Sequence, residues 1–199
     1  MLEKKILQRF YYNKKLSMVD SARLLNVTPA TVAYWMKQYH LKRRSISESV
    51  YVKQNPDGDP FCIKNKFTIE DKELFVAGLM LYWAEGSRRN RHVIQLANLD
   101  YRMLALFIKF LKRICGVKEN KLCLTIQLYK KFDKKVVQSY WSNTLKVPIQ
   151  LIAVNIHSDN RSKPNMQWSK YGIARIEVRN VKLKHWIDSE LERYLINQI

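Results

Sequence analysis

The stretch 75-FVAGLMLYWAEGSRR-89 decides how the rest of the chain is read. Residues 75–84 carry no charge, so a helix built from them has no face suited to water and is expected to be buried on nearly all sides. It delivers one carboxylate, Glu85, followed by Gly86, Ser87, Arg88 and Arg89. Two readings compete. In one, Glu85 is the last solvated residue of a core helix and Gly86 is its stop signal. In the other, the acid is placed to act on whatever the basic surface holds. Upstream, Thr68 is a suitable N-cap for the opening Thr68-Ile69-Glu70-Asp71.

Downstream the pattern alternates between helix and strand. Residues 92–98 (HVIQLAN) read as a strand. Residues 100–115 form an amphipathic helix, with Leu104, Phe107, Ile108 and Leu111 inward and Lys109, Lys112 and Arg113 outward, ended by Gly116. Residues 121–129 alternate, placing Leu122, Leu124, Ile126 and Leu128 on one face and Cys123, Thr125, Gln127 and Tyr129 on the other. A helix over 133–145, a strand over 149–157 and a basic loop over 158–170, with Arg161, Lys163 and Lys170, follow. Residues 172–179 (GIARIEVR) set Arg175, Glu177 and Arg179 opposite Ala174, Ile176 and Val178, and a helix over 181–195 closes the chain. The class is α+β, with the apolar face of a sheet covered by helices and the other face polar and basic.

Upstream the pattern is purely helical. Residues 3–13 predict one helix with Ile6, Leu7 and Phe10 on a stripe; residues 17–25 predict a second. Asn26 suits a left-handed turn, Thr28 is an N-cap and Pro29 takes the first position of a third helix ending at Gln38. Small Ala22 allows close approach, and Val27, Val32 and Trp35 lock the corner. This is a helix-turn-helix spacing, whose third helix enters a major groove in DNA-binding proteins. Thr28, Ala30, Thr31, Tyr34 and Lys37 then face DNA, and Lys42, Arg43 and Arg44 form a basic exit. A three-helix domain that binds another protein is the alternative.

Residues 45–66 contain Pro56, Gly58 and Pro60 with Asp57 and Asp59 between, which is turn chemistry. The glutamate that a calcium loop needs is missing. The expected division is a domain over 1–45, a linker over 46–67 and a second domain over 68–199.

Composition narrows the function. The 199 residues hold 36 Lys and Arg against 17 Asp and Glu, a formal charge of +19. Such a chain attracts polyanions, and counterion release makes nucleic acid its expected partner. A membrane-surface protein would need a basic amphipathic helix with a free apolar face, and none is read. No run approaches 18 apolar residues and the first ten are too polar for a signal peptide, so a cytoplasmic, nucleoid-associated protein without a membrane is expected. Cys62, Cys115 and Cys123 form no CxxC pair and the four histidines no zinc signature; the thiols are read as reduced, with Cys115 and Cys123 in the core.

Residues 80–86, Met-Leu-Tyr-Trp-Ala-Glu-Gly, resemble the second part of the LAGLIDADG motif of homing endonucleases. The motif's middle glycine falls on Met80, and Gly78 lies two residues earlier. The resemblance covers roughly residues 68–197 and is strengthened by Gln95-Leu96-Ala97-Asn98 followed by Arg102. It implies an antiparallel, saddle-shaped sheet laid on duplex DNA, with contacts from Arg88, Arg89, Arg91, Thr125, Gln127, Arg175 and Arg179. It also implies that Glu85 binds a catalytic Mg2+, that Asn98 orients water, and that Arg102 or Arg179 stabilises charge on the phosphate. With one motif copy, a homodimer through the 74–85 helix is implied. The alternatives are a catalytically inactive regulator of the same fold, a helix cap for Asn98, and a solvated strand face for Arg175 and Arg179.

Overall fold

The computed structural model describes residues 2–129, 132–157 and 170–198, and only the backbone of Tyr129 and His157. Of the loop read at 158–170, all but Lys170 lies outside these residues. Contacts divide the chain into two units, Met1–Asp59 and Pro60–Ile199. No helix among the described residues is long and apolar enough to cross a membrane.

The first unit contains α1 (Lys4–Gln8), α2 (Met18–Leu24), α3 (Pro29–Gln38) and α4 (Ile46–Gln54). The expected single helix over 3–13 is instead α1 followed by a π turn over Arg9–Asn13. Tyr11 of that turn is buried beside Leu7. Ser17 caps α2, its Oγ accepting from the Asp20 N–H. Asn26 takes φ +53° between α2 and α3. Thr28 Oγ1 accepts from the Thr31 N–H and Pro29 opens α3. Leu7, Tyr11, Ala22, Val32 and Met36 make the core, with Val27 and Trp35 packed on it.

The region 46–67, expected as linker, begins with α4. Ser45-Ile46-Ser47-Glu48 forms a capping box: Ser45 Oγ accepts from the Glu48 N–H, and the Glu48 carboxylate accepts from the Ser45 N–H. Turn chemistry takes over only afterwards, where Gly58 has φ +99°.

The second unit contains α5 (Ile69–Glu85), β1 (Val93–Asn98), α6 (Tyr101–Arg113), β2 (Cys123–Tyr129), α7 (Lys134–Leu145), β3 (Ile152–His157), β4 (Ile173–Arg179) and α8 (Val181–Gln198). The described strands form one sheet in the order β1-β4-β2-β3. β4 runs antiparallel to β1 and β2, but β2 and β3 are parallel. The expected antiparallel sheet is therefore mixed. The cause is α7, a crossover between β2 and β3 that returns the chain in the same direction.

Ile94, Leu96, Leu124, Ile126, Ala174, Ile176 and Val178 face the helices, where they meet Leu79, Tyr82, Phe107, Trp141, Leu183 and Ile187. Cys115 is in this core, and burial pushes its thiol pKa up. Cys123, expected inside, is exposed because the strand alternation turns it to the open face.

α5 starts on a buried carboxylate. Thr68 and Asp71 form a capping box, and Asp71 also accepts from Lys64 Nζ at 2.5 Å and Arg113 Nε at 2.6 Å. The Lys64 bond, followed by those of Thr68 and Arg113, holds the Asp71 carboxyl well below the usual range. Contrary to the expectation of burial all round, the described residues enclose only one side of α5. Leu74, Gly78, Leu79 and Tyr82 are buried, whereas Val76, Ala77 and Met80 are half-buried and Trp83 is 45% exposed. The neighbouring helices cover the first stripe, and among the described residues the second is only partly covered.

Candidate nucleic-acid interface

Strand alternation sends every second side chain to the open face of the sheet. The register aligns them in rows. Gln95, Glu177 and Cys123 form one; Ala97, Arg175, Thr125 and Ala153 form the next; Ile173, Gln127 and Asn155 form a third. The acid among them, Glu177, is only 10% exposed. It lies 3.3 Å from Arg175 Nε and 3.4 Å from Arg179 Nη2. Two guanidinium groups thus flank one carboxylate, and the face keeps a positive excess with amide and hydroxyl groups around it. Thr125, Gln127, Arg175 and Arg179 come together here as the sequence predicts. Gln95 and Asn155 also belong to this face and were not anticipated. The alternation of 93–98 carries the first; the second needs the parallel β2–β3 register.

Glu85 is the exposed last residue of α5 and makes no hydrogen bond or ion pair among the described residues. Gly86 follows with φ −75° and ψ 143°, which any residue adopts, so its role is not a left-handed stop. It is required because a Cβ there would lie 2.3 Å from the Tyr82 carbonyl oxygen and 2.4 Å from the Tyr82 ring. Gly86 then bridges to Leu96, and the Ser87 N–H donates to the Gln95 carbonyl at 2.9 Å. This short antiparallel pairing sets Glu85 level with Ala97, at the Asn98 end of β1.

Asn98 and Arg102 meet at that same end, around Asp100. Asn98 Oδ1 accepts from the Asp100 N–H at 2.9 Å, capping the turn into α6. Arg102 grips the Asp100 carboxylate through Nε at 3.0 Å and Nη2 at 2.7 Å. Those bonds hold the Asp100 carboxyl below its ordinary range. Arg102 therefore arrives with its charge already compensated. Arg179 does not join this group. It pairs with Val93 at the opposite end of the ladder, five residues from Asn98, or ~17 Å at ~3.4 Å per residue. Among the described residues no three His, Cys, Asp or Glu side chains converge as a metal site. Glu85 stands by itself among the described residues, which do not supply a donor set for a divalent cation there.

No family model, curated protein or solved structure matches this chain.

In the first unit Thr28, Ala30, Tyr34, Lys37, Lys42 and Arg43 are exposed, and Thr31 is half-buried with its Oγ1 2.9 Å from Thr28 Oγ1. Arg44 is different. Its guanidinium lies 4.2 Å from the Tyr11 ring centroid and donates to the carbonyls of Lys15, at 3.1 Å, and Leu16. Its N–H donates to Tyr11 Oη at 2.8 Å. Expected to contact DNA, Arg44 is committed to its own domain, because the chain leaving α3 returns across α1. In the second unit Arg88, Arg89 and Arg91 are exposed in the connection between α5 and β1.

Proposed function

We propose that the chain binds double-stranded DNA, in the manner that the LAGLIDADG resemblance implies, through the open sheet face and through α3 of the first unit. The observation that carries this reading is the face itself: Arg175 and Arg179 outnumber the one acid between them, and Thr125, Gln127, Gln95 and Asn155 supply donors and acceptors at strand spacing. A ribbon of such side chains suits the major groove, where base edges differ in donor and acceptor pattern. The helix-turn-helix reading of α2 and α3 supplies a second contact, with Thr28, Tyr34 and Lys37 toward the duplex and Lys42 and Arg43 toward phosphate.

The active species is a homodimer through the outward stripe of α5. Val76, Met80 and Trp83 lie at helical spacing on the side that one protomer leaves uncovered. Such a dimer prefers a pseudo-palindromic site.

Metal-dependent strand cleavage is a second reading, favoured by one observation. Glu85 is an exposed, uncompensated carboxylate in a strongly basic chain, and beside phosphates it repels unless a cation intervenes. Cleavage through Glu85 would require the dimer, since among the described residues of a single chain no second donor joins Glu85.

The test is fluorescence anisotropy and cleavage on a genomic or randomised duplex library, with Mg2+, Mn2+ or EDTA, using the wild-type chain and Glu85→Gln. Selection of a defined site supports DNA binding. Metal-dependent cuts lost in Glu85→Gln establish a nuclease, and specific binding without cuts establishes a regulator. Failure to retain any duplex at low salt overturns the proposal.

A further inference from the structure

The connection between α5 and β1 and the last helix, α8, enclose a groove of about 800 Å3 that the sheet-face reading does not use. Arg88, Arg91 and His92 form one wall, and successive turns of α8 from Val181 to Ile196 form the other. Its charge balance is not what its residue types suggest. Asp188 faces the groove, but Lys184 compensates it, with Nζ 2.5 Å from Oδ1 and also bonded to Oδ2. Lys184 is itself 2% exposed and lies 5.5 Å from the Tyr82 ring centroid, so this pair forms a neutral floor. Arg193 is held by Glu190 at 2.8 Å. Arg88 and Arg91 have no acid partner among the described residues and both are exposed. Glu192 is the acid left to oppose them.

The groove opens at a particular end of the sheet. Val93 pairs with Arg179. His92, just before Val93, and Val181, two residues after Arg179, both line it. A path of positive charge thus runs along β4 from Arg175 to Arg179 and continues onto Arg88 and Arg91. We propose that this groove holds the sugar–phosphate backbone of the duplex where it leaves the sheet face, with Arg88 and Arg91 on phosphates and Arg179 as the link. The proposal rests on the DNA-binding reading and deepens it: it assigns Arg179 to a flanking phosphate contact and makes α8 part of the interface. Glu85 stands level with Ala97, four residues from Val93 along β1. Arg88, in the groove wall, is three residues past Glu85, so the groove runs from ~10 Å to ~14 Å from the acid along the strand, or roughly three to four base-pair steps.

The experiment compares salt dependence and hydroxyl-radical footprints of the full chain on its selected duplex. Three proteins are used besides wild type: Arg88→Ala/Arg91→Ala, Glu192→Gln, and a charge-matched control, Lys109→Ala/Lys135→Ala, on exposed positions of α6 and α7. Loss of two phosphate contacts makes the slope of log K against log salt shallower by about 1.8. The Arg88/Arg91 variant is expected to show that change and to lose protection roughly three to four base pairs on either side of the centre of the site. Glu192→Gln is expected to bind more tightly, since it removes the acid facing the backbone. The control is expected to keep the wild-type slope and footprint. If the Arg88/Arg91 variant behaves like the control while wild type binds its site, the groove proposal fails and the sheet-face reading stands. If wild type itself retains no duplex, both fall.

Discussion

Gly78 of α5 lies against Phe110 of α6 so closely that a Cβ on Gly78 would sit 2.3 Å from the ring's Cγ and 2.7 Å from its Cβ. A single glycine therefore sets how near the two helices come, and it faces inward. Phe110 in turn stacks with Phe107, whose ring is parallel to that of Tyr82 at 5.9 Å. Gly78 thus fixes the packing beneath the turn that presents Glu85.

Gly78→Ala tests this relationship because two effects of opposite sign compete. Alanine in a helix interior is favoured over glycine by roughly 0.5–1 kcal/mol. Overpacking a filled core costs typically 1–3 kcal/mol. The near atoms belong to the base of the Phe110 side chain and cannot swing aside, so overpacking wins. A net loss of about 1 kcal/mol in urea unfolding is expected. A stabilised single variant would show that the helices move apart at no cost.

The outward stripe of α5 yields a second prediction. In the α5 dimer proposed above, Met80 occupies the place where a close helix crossing would want a small residue, so the two helices would meet through side chains rather than backbone. Burying a large apolar side chain contributes about 1.5–3 kcal/mol. Met80→Glu removes that contribution and sets like charges face to face. The expected result is a dissociation constant raised at least about a hundredfold, read by sedimentation at several concentrations, with the unfolding midpoint lowered as well because Met80 also packs in part on the core of its own chain. A wild-type chain that sediments as a monomer at all concentrations sinks the α5 dimer.

How far these features were legible depends on the range of the interaction that fixes them. Thr68 and Thr28 cap their helices as local sequence indicates, and the alternation of 122–128 sorts that strand's faces correctly. The capping box at Ser45 and Glu48 was equally local, but the prolines and glycine downstream drew the reading of the segment toward a linker. Strand direction was out of reach, because the β2–β3 pair is parallel only by virtue of where α7 packs. The single-sided burial of α5 was hidden for another reason. An apolar stripe reads the same whether its own chain or a second copy covers it. Arg44 and Arg102 illustrate a similar limit: composition counts a guanidinium as free, whereas carbonyl oxygens and Asp100 already hold these two.

Asp71 gives the second unit a pH dependence of known sign. Unfolded, it titrates near the ordinary value of about 3.9. Folded, Lys64, Thr68 and Arg113 keep its pKa well below that. Between the two values the unfolded chain binds the extra proton, so the stability Asp71 confers is complete above about pH 4 and is lost as the pH falls further. Asp71→Asn is expected to be less stable than wild type at pH 7. The gap should narrow progressively in urea titrations below about pH 4. A gap of constant size down to pH 2.5, roughly a unit and a half below the ordinary carboxylate value, would show that Asp71 acts by packing rather than by charge.

Arg43 and Arg44 are adjacent in sequence and belong to different kinds of interaction, which separates stability from binding in a single pair of variants. Arg44 bonds two carbonyls and lies on Tyr11, a residue of the first unit's core. Removing it leaves the Lys15 and Leu16 oxygens to water and uncovers the ring. Hydrogen bonds to a charged group are worth about 1.5–3 kcal/mol net, so Arg44→Ala should destabilise that unit by an amount of this order. Arg43 is exposed. Arg43→Ala should leave the melting curve where it is and reduce the salt slope of duplex binding by about 0.9, the signature of one phosphate contact. At a temperature where the first unit of Arg44→Ala remains folded, its salt slope should match wild type. A lowered slope there, with unchanged stability, would put the Arg44 guanidinium on the nucleic acid and not on Tyr11.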